Sequence, residues 1–254
     1  MSRPLLVWFA VLAHASLAFG GPQSAQQILE ESQRRADVKS LRYEGLLQVT
    51  SSRGKTVEKR WQLERVGSQG SSKIVFYFTD PPQIKGVAIL IVNHPGEKSD
   101  CWMWIPAAHR ERRVDLESRS RRFFDTDFKL EDLEQRDVEE YDYESTGQAD
   151  IDGFSCWIVR AVPKSKSARY SFSRLYIRQK DYAIAQVEDY IDKAIVRTLK
   201  FGDIQEVQGI ATPHLIEVAD LRRHSSTTLK LEKIQYNVVL PDEDFTIAAI
   251  KRSK

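Results

Sequence analysis

The densest chemistry in the chain lies where aromatic side chains run into guanidinium groups. Trp102-Met103-Trp104-Ile105-Pro106-Ala107-Ala108-His109-Arg110-Glu111-Arg112-Arg113-Val114 is followed by Arg119, Arg121 and Arg122, and then by Phe123-Phe124-Asp125-Thr126-Asp127-Phe128. Aromatic rings beside arginines suit an acyl chain with an anionic headgroup, or docking onto an acidic partner or a membrane surface. The same arginines also suit a solvated strand face paired with Asp115, Glu117, Asp125, Asp127, Glu131 and Asp132, where exposed ion pairs contribute little.

Other chemistries find less support. His94, His109, His214 and His224 do not stand with Cys, Asp or another His at zinc-ligand spacing. Asp125 to Asp132 begins like a calcium loop, but Lys129 stands where the third oxygen ligand belongs and Leu130 where the turn needs glycine. That stretch is expected to be a loop and helix cap. No Gly-x-Ser-x-Gly elbow, Walker loop or dinucleotide fingerprint is present. The residues point to a binding protein rather than an enzyme, with no cofactor and no metal.

The elements that position these residues read as one helix followed by strands. Ser24 with Gln27 forms a capping box before Ala25 to Ala36, where Ala25, Ile28, Leu29, Ser32 and Ala36 share a face. After that the period changes to two. Strands are expected at Leu41 to Ser51, Thr56 to Val66, Lys73 to Thr79, Val87 to Asn93 and Asp100 to Ile105. Seven more follow between Val138 and Tyr236. Short strands at this spacing indicate a sandwich or barrel.

Several strands are bulky on both faces: Ile74, Phe76 and Phe78 oppose Val75 and Tyr77, and Trp102 and Trp104 oppose Met103 and Ile105. An antiparallel sheet ordinarily keeps one face polar. The second apolar face must therefore be covered by the helix, by another sheet, or by a ligand. Cys101 and Cys156, the two cysteines, each sit in an aromatic-rich strand. A disulfide between them and two separate buried thiols are both open.

The N-terminus reads as a cleavable secretory signal over residues 1–20, with an apolar run from Leu5 to Phe19 that ends in small residues. That leaves residues 21–254 as a single domain in the periplasm. The 38 Lys and Arg nearly balance 36 Asp and Glu, so composition makes no electrostatic case for nucleic acid.

Trp102 to Val114 followed by Asp125-Thr126-Asp127-Phe128-Lys129-Leu130-Glu131-Asp132-Leu133 resembles the W-x-Y-x-P-A-x-x-R-x-R-R-I … G-S-D-F-x-Y-E-D-L pattern of the outer-membrane lipoprotein-sorting family, relatives of the LolA and LolB carriers. Gly153 to Val159 leading to Pro163-Lys164, and the ending Tyr236 to Phe245, agree with it. Trp104 replaces the usual Tyr, His109 stands where Lys is common, and Asp125-Thr126 replaces Gly-Ser.

The resemblance implies a mainly β, incomplete and strongly curved antiparallel β-barrel with a helical lid over an apolar cavity. It implies a periplasmic carrier of lipid or of lipoprotein acyl chains, working beside an inner-membrane transporter of the RND or MMPL kind. A non-catalytic adaptor docked on such a transporter is the alternative. Residue type and alternation then nominate Phe76, Phe78, Trp102, Trp104 and Trp157 as cavity lining, and Arg110, Arg112 and Arg113 as headgroup or partner contacts. The expected lid elements are Ala25 to Ala36 and Lys129 to Glu134, with Asp242 to Ile250 less favoured.

Overall fold

A computed structural model describes residues 23–252 except 69, 95, 96, 98, 115–121, 134–137 and 167. The expected signal segment, Arg119, Arg121, Asp115, Glu117 and Glu134 therefore lie outside the described residues. Helix α1 (Ala25–Ala36) starts at the expected capping box: the Ser24 hydroxyl accepts from the Gln27 backbone N–H, and the Gln27 side chain accepts from the Ser24 N–H. Ala25, Ile28, Leu29 and Ser32 form its buried stripe. On the outer side Arg34 and Arg35 bond to Glu31 and hold its carboxyl down to about 2.

The strands are β1 (Ser40–Thr50), β2 (Thr56–Ser68), β3 (Ser71–Asp80), β4 (Ala88–Val92), β5 (Asp100–Ile105), β6 (Arg110–Arg113), β7 (Tyr141–Ile151), β8 (Phe154–Pro163), β9 (Phe172–Arg178), β10 (Ile184–Ile191), β11 (Ala194–Val207), β12 (Ile210–Asp220) and β13 (Ser225–Tyr236). All belong to one 13-stranded antiparallel sheet ordered β6-β5-β4-β3-β2-β1-β13-β12-β11-β10-β9-β8-β7. Two meanders meet where β1 pairs with β13. The sheet curves without closing, so the fold is an incomplete β-barrel with β6 and β7 at its edges. Because every other link joins neighbouring strands, only the connection between β6 and β7 must pass from one edge to the other.

Alternation gives the sheet an inner and an outer apolar face. In the first meander Trp61, Ile74, Phe76, Phe78, Ile89, Ile91 and Cys101 share one cluster on the inner face. In the second, Val159, Leu175, Ile177, Val187, Leu199 and Val218 pack under Ala25, Ile28 and Leu29 of α1. The outer face of the first meander, with Val75, Ala88 and Leu90, is apolar as well. It is covered by the C-terminal segment through Phe245 and Ile250, the latter in the short helix α2 (Ile247–Lys251). Lys73 with Asp242 and Lys251 with Glu111 fasten that segment to the sheet. Two-faced strands are thus explained by chain on the outer side, and Asp242 to Ile250 is an outer cover rather than a lid over the inner face.

The seam between the meanders depends on a close approach at Gly45. There the register of β1 against β13 shifts by one residue. A Cβ at Gly45 would lie 2.0 Å from the Lys230 carbonyl oxygen and 3.2 Å from the Trp61 ring. The obstruction is backbone, so no rotamer relieves it. Gly45→Ala is therefore expected to cost about 1–3 kcal/mol, the usual range for overpacking. Denaturant unfolding checks this, and an unchanged midpoint would mean that the seam tolerates a methyl group.

Candidate functional site

The inner face encloses a cavity of about 1690 Å³ walled by Leu47, Leu63 and Phe76 of the first meander, Leu199 and Phe201 of the second, and Leu229 and Leu231 at the seam. Helix α1 contributes Leu29, Ser32 and Ala36 to the wall and acts as the lid over the second meander. Its ends are held by polar contacts, since Tyr182 donates to the Gln23 side-chain oxygen at 2.8 Å and Arg35 lies 4.2 Å from the Tyr182 ring centre.

The other element inside the curve is the connection between β6 and β7. Residues 122–129 form a small hairpin, with Arg122 bridged to Lys129 and the Phe123 N–H donating to the Phe128 carbonyl. Phe124 and Asp125 take left-handed φ values of 45° and 60°, and the Thr126 N–H donates back to the Phe123 carbonyl. This is the pattern of a type I′ turn, made here without glycine. The left-handed conformation costs a bulky residue about 1–2 kcal/mol. Ring packing offsets it: Phe124 meets Phe78 and Phe123 edge-on, and Phe123 meets Phe76 edge-on.

A buried polar network fixes this hairpin to both meanders. Asp127, 2% exposed, accepts from Ser225 and Thr227 of β13 at 2.6 and 3.0 Å. Asp132 pairs with Arg197 of β11, which also reaches Asp189 of β10 at 3.3 Å and the Asp127 carbonyl at 3.3 Å. Ser173 of β9 donates to Asp189 at 2.7 Å. Asp189 faces Arg197 and Ser173 directly across the sheet, so three adjacent strands and the hairpin share one row of polar groups. Burial works against the charge of Arg197, but Asp132, by charge and hydrogen bond, and then Asp189 outweigh it, so its pKa is raised. On the other meander, Lys59 of β2 donates to the Phe124 carbonyl, and desolvation lowers its pKa.

The structure separates the residues nominated from sequence. Phe76 lines the cavity. Phe78 is on the same inner face but is sealed beneath Phe123 and Phe124. Trp157 is also inward, with its ring 5.0 Å from that of Tyr182, and Tyr182 rather than Trp157 meets the cavity. Trp102 and Trp104 are corrections: they pair with Leu90 and Ala88 and pack on the outer face against the C-terminal cover. Inward positions on β5 belong to Cys101 and Met103. Arg110, Arg112 and Arg113 are exposed on edge strand β6 and do not line the main cavity, and Arg113 pairs with Asp100.

Of the two arrangements left open for the cysteines, the structure has the separate thiols. Cys101 and Cys156 are buried thiols not bridged to each other. Their strands lie near opposite edges of the sheet, and Cys101 faces inward while Cys156 belongs to an outer cluster with Tyr176 and Ala185. Burial raises the Cys156 pKa. Arg197 and Asp189 were missed, although each is a charged residue in phase with inward apolar neighbours, Leu199 and Val187.

This architecture is a LolA-like fold, a class that three solved structures share. An outer membrane lipoprotein-sorting protein domain from Vibrio parahaemolyticus has a TM-score of 0.83 and 21% identity over 89% of this chain and 98% of that one. A DUF1329 family protein from Desulfovibrio piger has a TM-score of 0.84 and 23% identity over 89% of this chain and 97% of that one. A LolA superfamily protein from Nitrosomonas europaea has a TM-score of 0.70 and 17% identity over 89% and 99%. A family model described as "Uncharacterized protein" matches residues 70–252, and the chain belongs to that family. No curated protein matches it. Among the described residues no helix is long and apolar enough to cross a membrane.

The network makes a direct prediction. Arg197→Met leaves Asp189 and Asp132 without their cation and should cost about 3–5 kcal/mol, as expected for one partner removed from a buried pair. Hydrogen exchange should rise most in residues 122–133. Uniform exchange with an unchanged unfolding midpoint would show that the hairpin is held by its aromatic rings alone.

Proposed function

We propose that this protein is a non-catalytic carrier that holds an acyl chain or lipid in the inner cavity. The observation that carries the reading is an apolar-walled cavity of about 1690 Å³ under an amphipathic helix. That is larger than the roughly 300–1,000 Å³ of ordinary small-molecule pockets. Each buried methylene is worth about 0.8 kcal/mol, so burial alone can retain an acyl chain. Release requires α1 to swing from its polar contacts at Tyr182. The structural neighbour described as a lipoprotein-sorting domain supports this reading of the cavity.

The same reading has residues 1–20 removed on export and residues 21–254 working as one domain in the periplasm, moving cargo toward the outer membrane. Handover to or from an RND or MMPL-type transporter would use an exposed surface. The arginines of edge strand β6, Arg110, Arg112 and Arg113, are our candidate for that contact.

Filling the cavity tests the proposal. Leu229→Trp adds a ring to a partly buried wall position and should lower binding of a fluorescent fatty acid at least tenfold. Trp104→Ala, on the outer face, should leave binding unchanged. Equal binding by the filled variant, or loss only in the Trp104 variant, would move the ligand out of the cavity.

A further inference from the structure

We propose that the cavity contains an anion-accepting subsite at Arg65, so that the preferred ligand is an amphiphile with a single carboxylate or phosphate headgroup rather than a neutral lipid. This rests on the carrier reading and specifies its ligand. Trp61, Leu63 and Arg65 alternate along the inner face of β2, and all three line the cavity. The row thus passes from apolar to cationic within one wall.

Three other guanidiniums of the wall are neutralised by carboxylates. Arg197 has Asp132 and Asp189, Arg178 has Asp181 at 2.7 Å, and Arg35 has Glu31 at 2.6 Å. Arg65 differs from these. Among the described residues no carboxylate lies within ion-pair distance of it, and Asp37 acts only through space. Its Nη2 donates to the Val38 carbonyl at 2.8 Å, while its buried Nε, like those of Arg178 and Arg197, has no partner. Desolvation lowers its pKa.

Nearby hydroxyls cannot supply the missing acceptor charge. Thr212 donates to the Ile210 carbonyl at 2.9 Å, and its oxygen lies 2.8 Å from the Tyr236 hydroxyl, which lies 3.0 Å from that of Tyr43. With the Thr212 proton committed, the chain runs from Tyr43 to Tyr236 to Thr212. Burial, foremost, raises the Tyr43 pKa, so this hydroxyl stays neutral. The guanidinium is left with its buried Nε–H uncommitted at the cavity wall. A headgroup anion would satisfy it while its chain runs along Leu63, Phe76 and Leu229.

The test uses delipidated full-length protein and three oleoyl probes: oleate, oleoyl lysophosphatidate and the neutral oleyl alcohol. Displacement of a fluorescent reporter should show either or both anions binding at least tenfold tighter than the alcohol. The stronger of the two identifies carboxylate or phosphate. Arg65→Gln should abolish the preference and leave alcohol affinity within twofold, and Arg65→Lys, which keeps the charge, should retain part of it. Wild-type protein that binds all three alike, or Arg65→Gln that keeps the preference, overturns the subsite and leaves the carrier reading intact. Wild-type protein that binds none of the three overturns both. Should Arg65→Gln fail to fold, the wild-type preference and its weakening in Arg65→Lys decide the question.

Discussion

Arg197 is 3% exposed, and its guanidinium lies between two carboxylates, one on the neighbouring strand and one on the segment that joins the edges of the sheet. Thirteen strands in two meanders leave that single connection to cross the concavity. A crossing segment inside an apolar bowl carries backbone groups that need partners. Thr227, Asp132, Arg197 and Lys59 provide them, and they do so on both meanders at once. Buried ion pairs contribute little net stability compared with apolar packing. Here the pairing fixes where the hairpin sits, and with it how much of the inner face remains open.

That division of the interior explains the distribution of aromatic residues. Phe123 and Phe124 fill the bowl over Phe76 and Phe78, with further stacking between Trp61 and Phe76. Helix α1 fills it over the second meander through Ile28 and Leu29. What remains between hairpin and helix is the cavity. On the outer side Phe245 and Ile250 cover the first meander, so the apolar outer face there is satisfied by the chain itself.

Much of this was legible in the sequence. The capping box at Ser24 and Gln27, the period of two and the resemblance carried by the motif from Asp125 to Leu133 led to the helix, the strands and the incomplete barrel. The inner and outer faces were not legible. Alternation says that Trp102 and Met103 point opposite ways, but register decides which way is inward, and Met103 opposite Ile89 has the inner position. Bulk favoured the tryptophans and register overruled it. The Arg197 network escaped because its members lie on β10, β11 and a hairpin separated by more than fifty residues, and only the folded sheet brings them together. Arg65 was unremarked for a related reason, since its lack of a carboxylate partner is a property of the assembled wall.

The central claim, a lipid held in the inner cavity, is tested most directly by native mass spectrometry of protein recovered from the producing cell, followed by organic extraction of what copurifies. A defined acyl species bound one to one, and released when the protein unfolds, is the result this account predicts. Protein that is empty as isolated and stays empty after incubation with lipid vesicles and free fatty acids would contradict it.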